Sequence, residues 1–261
     1  MNLNIKNKPL TGFNILDKMI DLEQSGVVLL TGDNADILSG DIANTICLNK
    51  KREVLEIVSC KKEYLIKRLL VNKANVNYRN WTLKEEYTKQ ELEEIGQATV
   101  NLIEVTNRLP TIIEQDMNLY NLKNVIKLVS DFANEYADRE TVSSLVVLDI
   151  FPLNKKYELK SKQKNEIINF FKKISKISRV LNLPIIIIYN KINNHHEYIK
   201  KEDLKYIHNL NKYIDTSIIL IFEEKQQEQN TNTYVVDIYN KNTKIGTGKI
   251  KYDFEHRKFI N

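Results

Sequence analysis

Cysteine, proline, glycine and long apolar runs are all scarce in this chain, and each scarcity closes off a class of protein. Only two cysteines occur among 261 residues, Cys47 and Cys60, and they lack the C-x-x-C spacing that zinc and redox sites use. Both read as ordinary reduced thiols. Seven glycines and four prolines leave no linker rich in Pro, Gly or Ser, and no internal repeat is visible, so residues 1–261 are expected to form a single domain. No apolar run approaches the roughly 18–20 residues that cross a bilayer, and the amino-terminal "MNLNIKNKPL" has no apolar core of a secretory signal. The expectation is a cytoplasmic protein with no membrane partner.

What the chain does have is a series of short branched apolar runs. They are "GVVLL" (26–30), "EVLEIV" (53–58), "VNLIEV" (100–105), "SLVVLDI" (144–150), "PIIIIY" (184–189), "SIILIF" (217–222) and "YVVDIY" (234–239). Near-continuous apolar runs of this length are what strands covered on both faces look like. Helical patterns lie between them, the clearest being Ile167, Phe170, Phe171, Ile174, Ile177 and Leu181 at spacings of three and four. Alternation of the two predicts an α/β fold with a mostly parallel sheet. The last two runs are joined by "EEKQQEQNTNT" (223–233), which reads as a polar hairpin loop, so the sheet is expected to end in antiparallel strands.

The first run leads into "TGDNADILSGDIANTI", the place where a nucleotide-binding α/β protein keeps its phosphate loop. A working loop reads G-x-x-x-x-G-K-[ST]: backbone N–H groups cradle the phosphates, Lys reaches the β/γ oxygens and Ser/Thr holds magnesium. No lysine occurs between Val27 and Lys50, while Asp33 and Asp36 put carboxylates into the loop. Positive charge is concentrated elsewhere. Residues 155–176 hold eight Lys against two Glu, so this one segment accounts for the whole net charge of +5. A basic block is ordinarily a solvated face, and it is also the electrostatic footprint of nucleic-acid binding.

Several segments, in order, resemble the carboxyl-terminal, RecA-fold motor domain of DnaB-type replicative helicases. "PLTGFNILDKM" (9–19) resembles that family's opening segment before the first strand, and "KKEYLIKRLLVNKANVNYRNWTLKEEYTKQELEEIGQA" the helical stretch after the second. "LVVLDIFPL" stands where the family has an apolar strand ending in Asp-Tyr-Leu. "NEIINFFKKISKISRVLNLPIIIIYNKIN", "DLKYIHNLNKYIDTSIILIF" and "YNKNTKIGTGKIKYDFEHRKF" resemble the later helix and strands. The resemblance covers nearly the whole chain and implies a RecA-like three-layer domain with a central, mostly parallel sheet and antiparallel strands at the carboxyl-terminal end. The family's amino-terminal, primase-binding domain has no counterpart in these 261 residues.

Departures from the family bear on function. On the register of the resemblance the phosphate-loop Lys falls on or beside Ser39, its Ser/Thr partner on Gly40 and the preceding Gly on Leu38, which implies a degenerate Walker A loop. The Glu that polarises the attacking water falls on Ser59 or Cys60. Asp149 ends its strand as the magnesium-orienting carboxylate does, although an Asp at a strand end is also a common turn-former. Of the Lys and Arg that reach into a neighbouring subunit's site, Lys241 matches and Thr243 replaces the Arg. Ser39, Gly40, Asp149 and Lys241 are therefore relic positions, and no catalytic residue is assigned.

The resemblance also implies two loops that hold single-stranded DNA. On them lie Lys155, Lys156, Tyr157, Lys160, Lys162 and Lys164, then Lys191, Lys200 and Lys201, with aromatics interleaved among the cations as single-strand surfaces use them. His195 and His196 are adjacent, point apart on a regular element and lack a third ligand, so no metal is expected. The reading is a non-catalytic, helicase-like accessory protein of DNA replication that binds single-stranded DNA, a replicative helicase or another replication protein, with self-association left open and no cofactor. The alternative is a divergent ATP-dependent DNA helicase or ATPase subunit that uses ATP and magnesium.

Overall fold

The structure is a computed structural model that describes residues 26–32, 53–58, 61–77, 87–106, 111–114, 122–136, 144–153, 161–191, 210, 212–222, 231–241, 243–256 and 258–260. Its strands are β1 (Gly26–Gly32), β2 (Glu53–Val58), β3 (Thr111–Glu114), β4 (Ser144–Leu153), β5 (Pro184–Lys191), β6 (Thr216–Phe222), β7 (Thr231–Asn240), β8 (Thr243–Asp253) and β9 (Lys258–Ile260). They form one sheet in the order β3-β2-β4-β5-β1-β6-β7-β8-β9. The pairs from β3 to β6 are parallel. From β6 onward they are antiparallel. The mixed sheet expected from the run pattern is therefore present, with β4 inside the parallel block.

Four helices are described: α1 (Lys62–Ala74), α2 (Lys89–Thr106), α3 (Leu122–Tyr136) and α4 (Ser161–Val180). On one face of the sheet, Val125, Val129 and Phe132 of α3 and Ile167, Phe170, Phe171 and Ile174 of α4 pack on Val27, Leu29, Val146, Leu148, Ile185 and Ile187. The other face carries Val28, Leu30, Val147, Ile186 and Ile188 with Tyr234 and Tyr252. Alternate residues of one strand thus enter opposite cores, which is why these strands read as unbroken apolar runs. Near the β3 edge, Leu65 and Leu69 of α1 cover Val58.

Two expectations need correction. "VNLIEV" (100–105) is not a strand; it lies inside helix α2. A reciprocal cap starts that helix, with the Thr88 backbone N–H donating to Glu91 Oε2 at 2.8 Å and the Glu91 N–H donating to Thr88 Oγ1 at 3.2 Å. A short apolar run has no period of its own, and the upstream cap decides for helix. The strand on this side is instead β3, only four residues long, at the sheet edge. Residues 231–233, expected in the hairpin loop, begin β7.

Asp215 ties the amino edge of the parallel block together. Its Oδ2 accepts from the Val27 N–H at 2.9 Å, its own N–H donates to Val27 O at 2.9 Å, and Arg179 Nη2 donates to Oδ1 at 3.1 Å. Asp215→Ala leaves the N–H of a fully buried residue without its acceptor, so a loss of about 1–3 kcal/mol is expected in urea unfolding. Arg179→Ala removes only an exposed ion pair and should cost under about 1 kcal/mol. Equal losses would show that the ion pair, not the backbone bond, holds this edge.

Candidate functional site

In open α/β sheets, ligands bind outside the carboxyl ends of the strands. Here that edge is formed by the ends of β1, β2 and β4. Gly32 closes β1 at φ 142°, a conformation that side chains rarely adopt, so the backbone leaves the strand through a position suited to glycine. Asp149 lies half-buried on β4, opposite Val58 of β2 and Ile188 of β5, and the β4–β5 register shifts between Asp149 and Phe151. A bulge at this point re-aims the strand, which stays paired with β5 through Leu153, so Asp149 does not end its strand as the sequence pattern implied.

Beside Asp149 sits a residue that the sequence reading passed over. Glu56 of β2 pairs with Val147, two residues before Asp149, so the two acids share one face of the sheet. Glu56 is only 1% exposed, and its Oε2 has no hydrogen-bond partner among the described residues. Burial pushes its carboxyl up to about 8; the nearby Asp149 charge pushes the same way, and Arg68 of α1 opposes them. At neutral pH Glu56 is therefore mainly protonated. The signal for it was a single acid inside "EVLEIV", at a position whose neighbours two residues away on either side, Val54 and Val58, are both buried.

The other relic position with a described side chain lies far from this edge. Lys241 opens the two-residue turn between β7 and β8 at φ 53°, and its N–H donates to Asp215 O at 3.2 Å, beside the start of β1. Asp149 and Lys241 thus stand at opposite edges of the sheet and are not brought together within one chain. Thr243 begins β8, exposed.

Most of the remaining candidates fall outside the described residues: Ser39, Gly40, Lys155, Lys156, Tyr157, Lys160, Lys200 and Lys201. Lys162 and Lys164 lie in the first turn of α4 and Lys191 ends β5, but their side chains are likewise outside the description. Among the described residues, no three His, Cys, Asp or Glu side chains gather as a metal cluster would, and no helix is long and apolar enough to cross a membrane.

Three solved structures share this arrangement of strands and helices. The ATPase domain of G40P matches with a TM-score of 0.70 at 15% identity, over 97% of this chain and 90% of that one. A DnaB-like replicative helicase, characterised together with its primase interactions, matches with 0.70 at 15% identity over 97% of this chain. This chain spans 61% of that helicase's length. The RadB recombinase matches with 0.57 at 14% identity, over 96% and 97%. The sequence matches no protein-family model and no curated protein. At these identities the likeness carries the architecture alone, and that architecture is a RecA-like α/β fold.

Proposed function

We propose that this chain is a DnaB-like accessory protein of DNA replication that binds single-stranded DNA, a replicative helicase, or both, without hydrolysing nucleotide. The observation that supports this most is the charge at the carboxyl edge. Phosphates arriving there meet the Asp149 carboxylate, beside a Glu56 that keeps its proton at neutral pH, and no lysine occurs between Val27 and Lys50 to take up their charge. Phosphoryl transfer depends on positioning and on cations that take up developing negative charge. Arg68 of α1 brings one positive charge toward this edge, against the one negative charge of Asp149 while Glu56 holds its proton. Likeness to an ATPase domain and to a replicative helicase fits a replication setting. An acid at Asp149, beside the β4 bulge and four residues before the strand ends at Leu153, favours the second reading, an ATP-dependent helicase or ATPase subunit that takes its cation from Lys50, Lys51 or another chain.

Purified protein is expected to hydrolyse ATP no faster than buffer, with or without DNA. A DNA-stimulated turnover of about 1 s⁻¹, the low end of ordinary enzymes, overturns the non-catalytic reading. Binding is tested by salt titration. Each change of Lys155, Lys156, Lys160, Lys162 or Lys164 to Ala should flatten the salt dependence of single-strand affinity by about 0.7 in log–log slope, because one fewer phosphate sheds its counterion. Tyr157→Ala should weaken binding at unchanged slope, since stacking releases no ions. If these variants behave like Lys61→Ala and Lys62→Ala, a protein partner replaces DNA in the reading.

A further inference from the structure

The inward face of α4 is accounted for by the core: Ile167, Phe170, Phe171 and Ile174 are buried against the sheet. Its outward face is not. The exposed charged side chains described on this helix are cations, Lys172, Lys173, Lys176 and Arg179, with the half-buried acid Glu166 at the flank of the row, and the exposed amides Asn165 and Asn169 continue the row toward the amino end. Arg179 is engaged by Asp215. Lys172, Lys173 and Lys176 have no ion-pair partner among the described residues. On the neighbouring helix α3, exposed Lys123 and Lys127 offset exposed Asp131 and Glu135, so the excess of the helix layer belongs to α4.

From Asn165 to Lys176 the row runs about 16 Å along the axis, with Lys172 and Lys176 one turn, about 6 Å, apart. We infer that the outward face of α4 is a second contact for the backbone of single-stranded nucleic acid, in which Lys172, Lys173 and Lys176 neutralise phosphates and Asn165 and Asn169 donate hydrogen bonds. The inference rests on the single-strand reading above and extends its path beyond residues 155–164. The chemistry of the row favours a phosphate backbone over an acidic protein. A protein interface needs an apolar, desolvated centre, and the exposed apolar side chain described on α4 is Val180, at the helix's carboxyl end past the row. Cations and amide donors alone suffice for a sugar-phosphate strand.

The test uses the full chain with all three lysines reversed (K172E, K173E and K176E), beside a control with the same charge change on α1 (K61E, K62E and K73E). Affinity is measured against oligothymidylates of about 30 and about 8 nucleotides, lengths chosen to exceed and to match one compact single-strand site. The α4 variant is expected to bind the long oligomer at least about tenfold more weakly, with a salt slope about 2 units flatter, and to leave the short one unchanged. The control leaves both unchanged. A milder set, K172Q, K173Q and K176Q, carries the same comparison if charge reversal impairs folding.

Full affinity of the α4 variant for the long oligomer overturns the inference while leaving the loop reading intact, provided Lys155→Ala, Lys156→Ala and Lys160→Ala still weaken both lengths. Absence of binding by the parent chain overturns both. Loss of polyglutamate binding in the α4 variant with single-strand binding retained also overturns the inference and gives the face to an acidic protein.

Discussion

Phe171→Ala is expected to lower the unfolding free energy by about 3–5 kcal/mol, a large part of the roughly 5–15 kcal/mol that holds a typical domain together. Phe171 is fully buried, and its ring meets Phe170 edge-on with centroids 6.0 Å apart at 86°. Removing it deletes apolar area and leaves a cavity between α4 and the centre of the parallel sheet, where strands flanked on both sides by neighbours have little freedom to collapse. Lys172, the next residue, is exposed, and Lys172→Ala should stay within about 0.5 kcal/mol. Urea unfolding of the pair reads both values against the parent. A cost under about 1 kcal/mol for Phe171→Ala would mean that this face of α4 does not pack on the sheet.

The same helix shows why much of the architecture was legible in the sequence. Its apolar residues recur at three and four because only one face meets the sheet, and the strands beneath it read as continuous runs because both of their faces are covered. That logic fails where burial is partial. β3 is a four-residue edge strand whose two end residues, Thr111 and Glu114, are exposed, so it leaves no run to find. In α2, Leu92 and Val100 are exposed and Ala98 is the buried side chain among those described, so a run such as "VNLIEV" carries no stripe, and the Thr88–Glu91 cap is the better signal.

The candidate site was legible only in part. Asp149 came from the resemblance of "LVVLDIFPL" to a strand ending in Asp-Tyr-Leu, since an Asp after an apolar run is by itself a common turn-former. That Glu56 faces it depends on strands β2 and β4 being neighbours in register, which no local pattern encodes. The position of Lys241, at the far edge from Asp149, likewise follows from the path of β6 and β7 across the sheet and not from spacing along the chain.

Glu56→Gln is expected to stabilise the protein by about 2–4 kcal/mol at pH 8 and to change little near pH 4.5. The sign follows from proton counts. An ordinary Glu releases its proton near 4.5, whereas burial, helped by the Asp149 charge and opposed by Arg68, keeps Glu56 protonated in the folded chain up to about 8. Between those values the unfolded chain binds fewer protons than the folded one, so stability falls as pH rises, by at most about 1.4 kcal/mol per pH unit, and levels off above the upper value. Gln keeps the shape of the protonated acid and has no proton to lose, so its stability should not follow this slope. The two curves should meet in acid and separate steadily toward alkali. Denaturant unfolding across this range measures both. Curves that run parallel would show that Glu56 is not what makes stability pH-dependent. Separation as expected would mean that the carboxyl edge of the sheet holds one negative charge at neutral pH, on Asp149, with a second held back by a proton. A phosphate or a cation arriving beside Asp149 would then shift the Glu56 proton as well, since each charge placed there changes the cost of ionising its buried neighbour.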